Sequence, residues 1–460
     1  MEKLGAAVEA LRGDMIRTLQ QWIRIPSEKL APEPGAPFGR PLREMLTVAL
    51  SDARRLGFAA RDFDGYIGDA EMGEGDETMG ILVHLDVVPA GDGWASDPFG
   101  GEIRDGKVYG RGTSDDKGPA VAALFAMKAV LDAGFTPKKK VRLILGCDEE
   151  SGWADIDHYK KHVAMPDFGF SPDADYPVIN TEKGLLQLRL TASFGGEEGA
   201  KLPVRRLSSG ERPNVIPGLA TAEIGCEDFA ALERALQNTG LDVTAEKLES
   251  GLARLTSLGV PGHAALPRHG KNAAGQLLLA LKAIGAGGGC RAFINSLAEG
   301  VGLDPSGKGL GVDGRDALSG PLTINLGVLH VTPGSAMAVL DIRYPVLMDG
   351  EMIAKIIGMR LKDAGITVDV SQWKAPLHVP AQSEIVTRLL SVYAEVTGLS
   401  PYTIAIGGGT YARSMDNCVA FGCNFPGDDE VAHQADEYMD VEKLLKNALI
   451  FAHAIVRLAC

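Results

Sequence analysis

The stretch I-L-V-H-L-D-V-V-P, residues 81–89, sets a histidine and an aspartate two residues apart in an otherwise apolar, β-branched run. Side chains at i and i+2 of a strand share a face, so His84 and Asp86 are expected to point the same way at the end of a strand over 79–85. Buried ionisable groups need partners. A core histidine hydrogen-bonded to a carboxylate is one account of the pair. A metal-ligating His84 oriented by Asp86 is the other, because a carboxylate behind an imidazole sets its tautomer and makes it a better donor. Further ligand types recur along the chain: Asp115 and Asp116 in G-R-G-T-S-D-D-K-G, Asp148, Glu149 and Glu150 in G-C-D-E-E-S-G, Asp173 in S-P-D-A-D, and His433 in A-H-Q-A-D-E-Y. Mixed histidine and carboxylate ligands suit zinc and its neighbours, whereas magnesium and calcium prefer all-oxygen sites.

These residues fall where an α/β fold would expose them. Strands read at 79–85, 140–145 and 168–171 each end in acids, and open α/β sheets build their sites at strand carboxyl ends. A helix is expected over 4–22, ended by Ile25-Pro26, because the residue before proline leaves the helical region. Pro41 opens a second helix that Gly57 closes. Glu102–Tyr109 reads as a hairpin turned at Asp105-Gly106, and 119–133 as a helix stopped by Gly134. The chain therefore divides into an α/β/α part with a mainly parallel central sheet, 1–183 and 377–460, and an inserted α+β part, 184–376.

Composition narrows the function. The 460 residues are 45% hydrophobic and 23% charged, as in ordinary globular proteins. With 60 acidic against 46 basic residues the net charge is −14, which argues against nucleic acid or an acidic membrane as a partner. Six cysteines, at 147, 226, 290, 418, 423 and 460, have neither zinc-finger spacing nor disulfide-framework density, so a reduced, cytoplasmic protein is expected. The first residues, M-E-K-L-G-A-A-V-E-A-L-R, carry charge through their apolar positions, and no run reaches the roughly 18 apolar residues a membrane span needs.

Together, His84-Leu85-Asp86, G-R-G-T-S-D-D-K-G, D-E-E, S-P-D-A-D-Y-P and A-H-Q-A-D-E-Y resemble, in one order over nearly the whole chain, the di-zinc exopeptidase family of aminoacylases, carnosinases and related carboxypeptidases. The bacterial dipeptidase V, or Xaa-His dipeptidase, branch is the most similar. The resemblance implies two zinc ions, replaceable by manganese or cobalt, bridged by Asp115, with His84 and Asp173 on one and Glu150 and His433 on the other. It implies that Asp86 orients His84 and that Glu149 is the general base for a water activated by the two metals. His263 in P-G-H-A-A-L-P is similar to the family's oxyanion-stabilising histidine on a lid. Asn214, Arg343, and Gly408 and Arg413 of G-G-G-T-Y-A-R take the places of substrate contacts. Arg343 suits the bidentate grip of a terminal carboxylate, although pairing with Asp341 or Glu351 would equally explain a strand arginine. Gly407–Arg413 lacks the spacing of a phosphate loop.

The expected activity is hydrolysis of short peptides with a free N-terminus by a monomer. An N-acyl-amino-acid deacylase would need the same metals and base without a place for a free amine. A silent metal- or peptide-binding protein would not need Glu149.

Overall fold

The computed structural model describes residues 2–195, 200–249 and 251–460. They form two compact units, one from Met1–Asn180, His378–Ile404 and Gly409–Cys460, the other from Thr181–Leu377 and Ala405–Gly408. Residues 405–408 lie outside the part to which the sequence assigned them, because the amide of Lys183 bonds to Ile406 O at 3.0 Å and draws this stretch to the second unit.

In the first unit the sheet runs Ala59–Phe63, Ile67–Met72, Lys140–Gly146, Thr78–His84, Phe168–Ser171, Cys418–Ala420, Val178–Glu182. The four strands from Lys140–Gly146 to Cys418–Ala420 are mutually parallel, and antiparallel strands flank them, so the sheet is mixed with a parallel centre. Every residue of Thr78–His84 is buried, as expected for a parallel strand covered on both faces. The helix Lys117–Asp132 is buried on almost all sides, packed against the strand Thr78–His84 and the helices Arg12–Ile23 and Val441–Ala459. Its small residues Ala120, Ala122, Ala123, Ala126 and Ala129 permit that close approach.

Three features depart from the sequence reading. The first helix is two, Glu2–Ala10 and Arg12–Ile23. The strand Ile67–Met72 carries no strand signal in the sequence because I-G-D-A-E-M interleaves acids and glycine with its apolar residues; it is nevertheless buried, since Asp69 pairs with Arg61 at 2.6 Å and accepts from Tyr159 Oη at 2.6 Å. The helix Ala154–His162, with acids in its first turn and Lys160, Lys161 and His162 in its last, follows helix-dipole preference rather than an apolar stripe.

The second unit holds an eight-stranded sheet in the order Val243–Lys247, Leu252–Leu258, Leu219–Gly225, Val204–Ser209, Thr323–Val331, Ser335–Tyr344, Gly184–Ser193, Thr367–Lys374, antiparallel throughout. Leu186, Leu188, Leu190 and Ala192 alternate into one core with Leu232, Leu277, Leu297 and Ile357 from the helices. The strands Val204–Ser209 and Leu219–Gly225 and the helix Arg291–Gly300 have no counterpart among the elements read from the sequence. Among the described residues no helix is long and apolar enough to cross a membrane.

Candidate metal centre

Five segments of the first unit meet at the carboxylate of Asp115. His84 arrives as the last residue of the strand Thr78–His84, and Asp115 lies in the turn before the helix Lys117–Asp132. Glu150 and Asp173 follow the strands Lys140–Gly146 and Phe168–Ser171, and His433 sits in a loop at φ 64°. His84 Nε2 lies 2.9 Å from Asp115 Oδ1 and 3.8 Å from Asp173 Oδ2. His433 Nε2 lies 2.9 Å from Asp115 Oδ2 and 2.7 Å from Glu150 Oε1. Two triads result, His84–Asp115–Asp173 and Asp115–Glu150–His433, each with its ligand atoms within 4.8 Å of one another.

The supporting contacts are as specific. His84 Nδ1 is 2.9 Å from the main-chain carbonyl of Asp86, and the Asp86 carboxylate stands farther off at 3.5 Å. The carbonyl therefore sets the tautomer, leaving Nε2 to the cluster. The strand has ended at His84, so the shared-face argument for Asp86 does not apply. The Asp86 carboxylate instead accepts the amides of Glu149 and Glu150, both at 3.1 Å, and fixes the turn that presents them. The indole of Trp153 donates to Glu149 O at 3.0 Å. Asp155 accepts the amides of Cys147 and Asp148 at 2.7 and 3.0 Å and the hydroxyl of Tyr411, whose ring meets His84 edge-on.

Glu437 lies in the same motif as His433, A-H-Q-A-D-E-Y, where nothing in the local pattern marks it. It is fully buried, and its carboxylate accepts the amides of Ser114 and Asp115 at 2.8 and 3.2 Å and Arg111 Nη1 at 2.6 Å. The Asp115 turn is thus held from behind by a residue more than three hundred positions away. Asp116, also buried, accepts the amide of His84 at 3.0 Å.

Burial pushes the carboxyls of Asp173, Asp116 and Glu150 upward, and the neighbouring Asp115 adds to it. Burial also acts to raise Asp115, but the contacts of His433 and His84 outweigh it and hold that carboxyl well below its usual range. Burial would depress both imidazoles; the carboxylates facing them reverse this, and His433 is pushed up to about 11. So concentrated a negative charge binds cations, protons included. Among the described residues Asp115 Oδ1 has no hydrogen-bond partner despite lying 2.9 Å from an imidazole nitrogen. That is the arrangement of atoms that converge on a common cation, and the donor set of two imidazoles and three carboxylates fits a borderline divalent ion.

In the second unit, the short strand Gly262–His263 pairs with Val215–Ile216, which brings Asn214 beside His263: the amide of Ala264 bonds to Asn214 O at 2.9 Å. His263 is exposed, and its Nδ1 accepts the amide of Ala265 at 3.2 Å. Arg343 is buried against Asp341, through Nε at 2.7 Å and Nη2 at 3.2 Å, and gives Nη1 to Gly407 O at 3.0 Å. The strand pairing weighed for it is therefore present, and three of its N–H groups are committed. Gly408 ends the short stretch assigned to the second unit, while Arg413 belongs to the first. A Cβ on Gly409 would fall 2.3 Å from the Arg413 guanidinium, so the Arg413 side chain lies directly over this glycine.

A mixed sheet with a two-triad carboxylate–histidine cluster at the ends of its parallel strands is the architecture of a metallohydrolase. Residues 80–457 match the model of peptidase family M20/M25/M40, and the chain belongs to that family; it is a metallopeptidase dependent on divalent cations. It is 38% identical to the Bacillus subtilis (strain 168) protein named "Putative dipeptidase YtjP", over 98% of this chain and 99% of that one. It is 35% identical to the Beta-Ala-Xaa dipeptidase of Lactobacillus delbrueckii subsp. lactis, over 98% and 97%. Human carnosine dipeptidase 1 shares the fold, with a TM-score of 0.62 over 99% of this chain and 98% of that one at 17% identity.

Proposed function

We propose that this chain is a zinc dipeptidase that cleaves the peptide bond of short peptides with a free N-terminus. His84, Asp115 and Asp173 would hold one ion and Asp115, Glu150 and His433 the other. The observation that carries this reading is the Asp115 carboxylate, with one oxygen 2.9 Å from each imidazole. Zinc, when bound, supplies a Lewis acid for the scissile carbonyl and lowers the pKa of water.

The chain's own groups do the rest. Glu149, with its amide held by Asp86 and its carbonyl by Trp153, takes a proton from the attacking water and returns it to the amine nitrogen as the C–N bond breaks. Asp86, Asp155 and Glu437 contribute by orientation: each spends a buried carboxylate on main-chain amides next to the reacting groups. The same reading has the protein work as a monomer in the cytoplasm, in keeping with six cysteines that lack the density of a disulfide framework.

The test is hydrolysis of Ala-Ala and of N-acetyl-Ala by the zinc-loaded protein and by the protein after exhaustive chelation. Cleavage of Ala-Ala, lost on chelation and restored by zinc, is expected. Preference for N-acetyl-Ala would make the chain a deacylase, and undiminished cleavage without metal would overturn the site.

A further inference from the structure

A second group of ligand-type side chains lies outside the Asp115 cluster. Asp64, His158 and His162 place three ligand atoms within 4.8 Å of one another, and none of the three belongs to the cluster above. His158 and His162 are four apart on the helix Ala154–His162 and so share one face. Asp64 stands in the turn between the strands Ala59–Phe63 and Ile67–Met72, in the left-handed conformation at φ 55° that aspartate tolerates.

One imidazole would satisfy that carboxylate. His158 Nε2 does so at 3.0 Å from Asp64 Oδ2, yet His162 Nε2 is aimed at the same oxygen from 3.9 Å. The other nitrogen of His162, Nδ1, is engaged by the main-chain carbonyl of His158 at 2.9 Å. That contact is the outer partner that metal-binding imidazoles commonly have, fixing the tautomer so that the lone pair lies on Nε2. The two rings lie 4.4 Å apart, an unfavourable spacing if both were protonated and a natural one if both faced a single cation.

The rings are also held in advance. Tyr66 stacks on His158 at 4.2 Å and 11°, and Phe63 leans on His162 at 6.2 Å. Hairpin and helix are locked together beneath them by Tyr159, whose hydroxyl reaches buried Asp69 at 2.6 Å and whose ring meets Phe63 edge-on at 5.0 Å. Little ordering remains for a ligand to impose.

We propose that Asp64, His158 and His162 form a second metal site of this protein, for a borderline divalent transition ion with zinc as the reference case. Two imidazoles and one carboxylate leave the fourth tetrahedral position to water. The position at the end of a helix, where the dipole is negative, favours a cation. Bound there, the ion ties the hairpin to the helix that follows the Glu149–Glu150 turn.

Zinc retained by the full-length protein after equilibration at a fixed free zinc concentration distinguishes the possibilities, with folding checked by circular dichroism. Wild type is expected to hold one equivalent more than the double variant H158Q/H162Q, and the variant to hydrolyse dipeptides as wild type does. Asp64→Asn, a milder change, should weaken the same equivalent by about tenfold or more. The comparison is repeated on a His84→Ala background, which impairs the Asp115 cluster and spares this one; persistence of the difference there separates the inference from the dipeptidase reading. Equal zinc in wild type and both folded variants would overturn it.

Discussion

Glu149 and Glu150 are neighbours with opposite assignments, and the geometry offers a reason for the division. Glu150 Oε1 is 2.7 Å from His433 Nε2 and belongs to a ligand triad, whereas Glu149 belongs to neither triad. If Glu149 is the base, Glu149→Gln preserves shape and removes that base, so turnover should fall by about 10²–10⁴ with bound zinc unchanged. Steady-state kinetics paired with metal analysis checks this; loss of zinc would make Glu149 a ligand. Arg343 presents a second residue-scale question. Three of its five N–H groups serve Asp341 and Gly407, and among the described residues the remaining two have no hydrogen-bond partner. If they grip the substrate's C-terminus, amidating a dipeptide should raise KM for wild type and change it little further for Arg343→Ala. Additive effects across that double cycle would leave Arg343 with a structural role alone.

At the scale of elements, the cluster depends on turns that follow strands, and buried carboxylates hold those turns in place. Glu437 is the clearest case, since it ties the turn Ser114–Asp115 and Arg111 to the segment that carries His433. Glu437→Ala leaves Arg111, a buried cation, without its carboxylate, and a broken buried pair typically costs about 3–5 kcal/mol. A lower denaturation midpoint together with weaker zinc binding is expected. Weaker binding at unchanged stability would mean that the residue acts on the cluster electrostatically rather than through the turn. Gly146 illustrates the same dependence from the packing side. A Cβ there would meet the Tyr411 ring at 2.5 Å, and Tyr411 in turn anchors Asp155 beneath the Glu149 turn.

For the whole molecule, cations and protons compete for one set of groups. In the metal-free protein His433 keeps its proton up to a pKa of about 11, so below that pH a cation must displace it. Zinc affinity should therefore rise with pH, by up to about tenfold per unit for each proton displaced, and activity should fall in acid. Competition against a chelator between about pH 6 and about pH 8, with proton release followed in weak buffer, measures this. PH-independent affinity without proton release would show that the imidazole is already neutral.

The sequence by itself determined the ligand types and the framework that carries them. Apolar runs that stop at His84 and before Asp148 and Asp173 mark parallel strands, and local patterning suffices because hydrophobic period and breaker residues act over a few positions. The turn at Asp105-Gly106 was legible on the same grounds. Only the tertiary structure decided which oxygen of Asp115 faces which imidazole, that Asp86 serves His84 through its carbonyl and the Glu149 turn through its carboxylate, and that Glu437 stands behind Asp115. It also decided that the polar strand Ile67–Met72 is buried and that Asp64 meets His158 and His162. Each of these rests on partners distant in the chain, 326 residues apart for Arg111 and Glu437 and 94 for Asp64 and His158. Such contacts leave no local period to read: a buried carboxylate's role is set by whichever amides and cations the completed fold brings within about 3 Å.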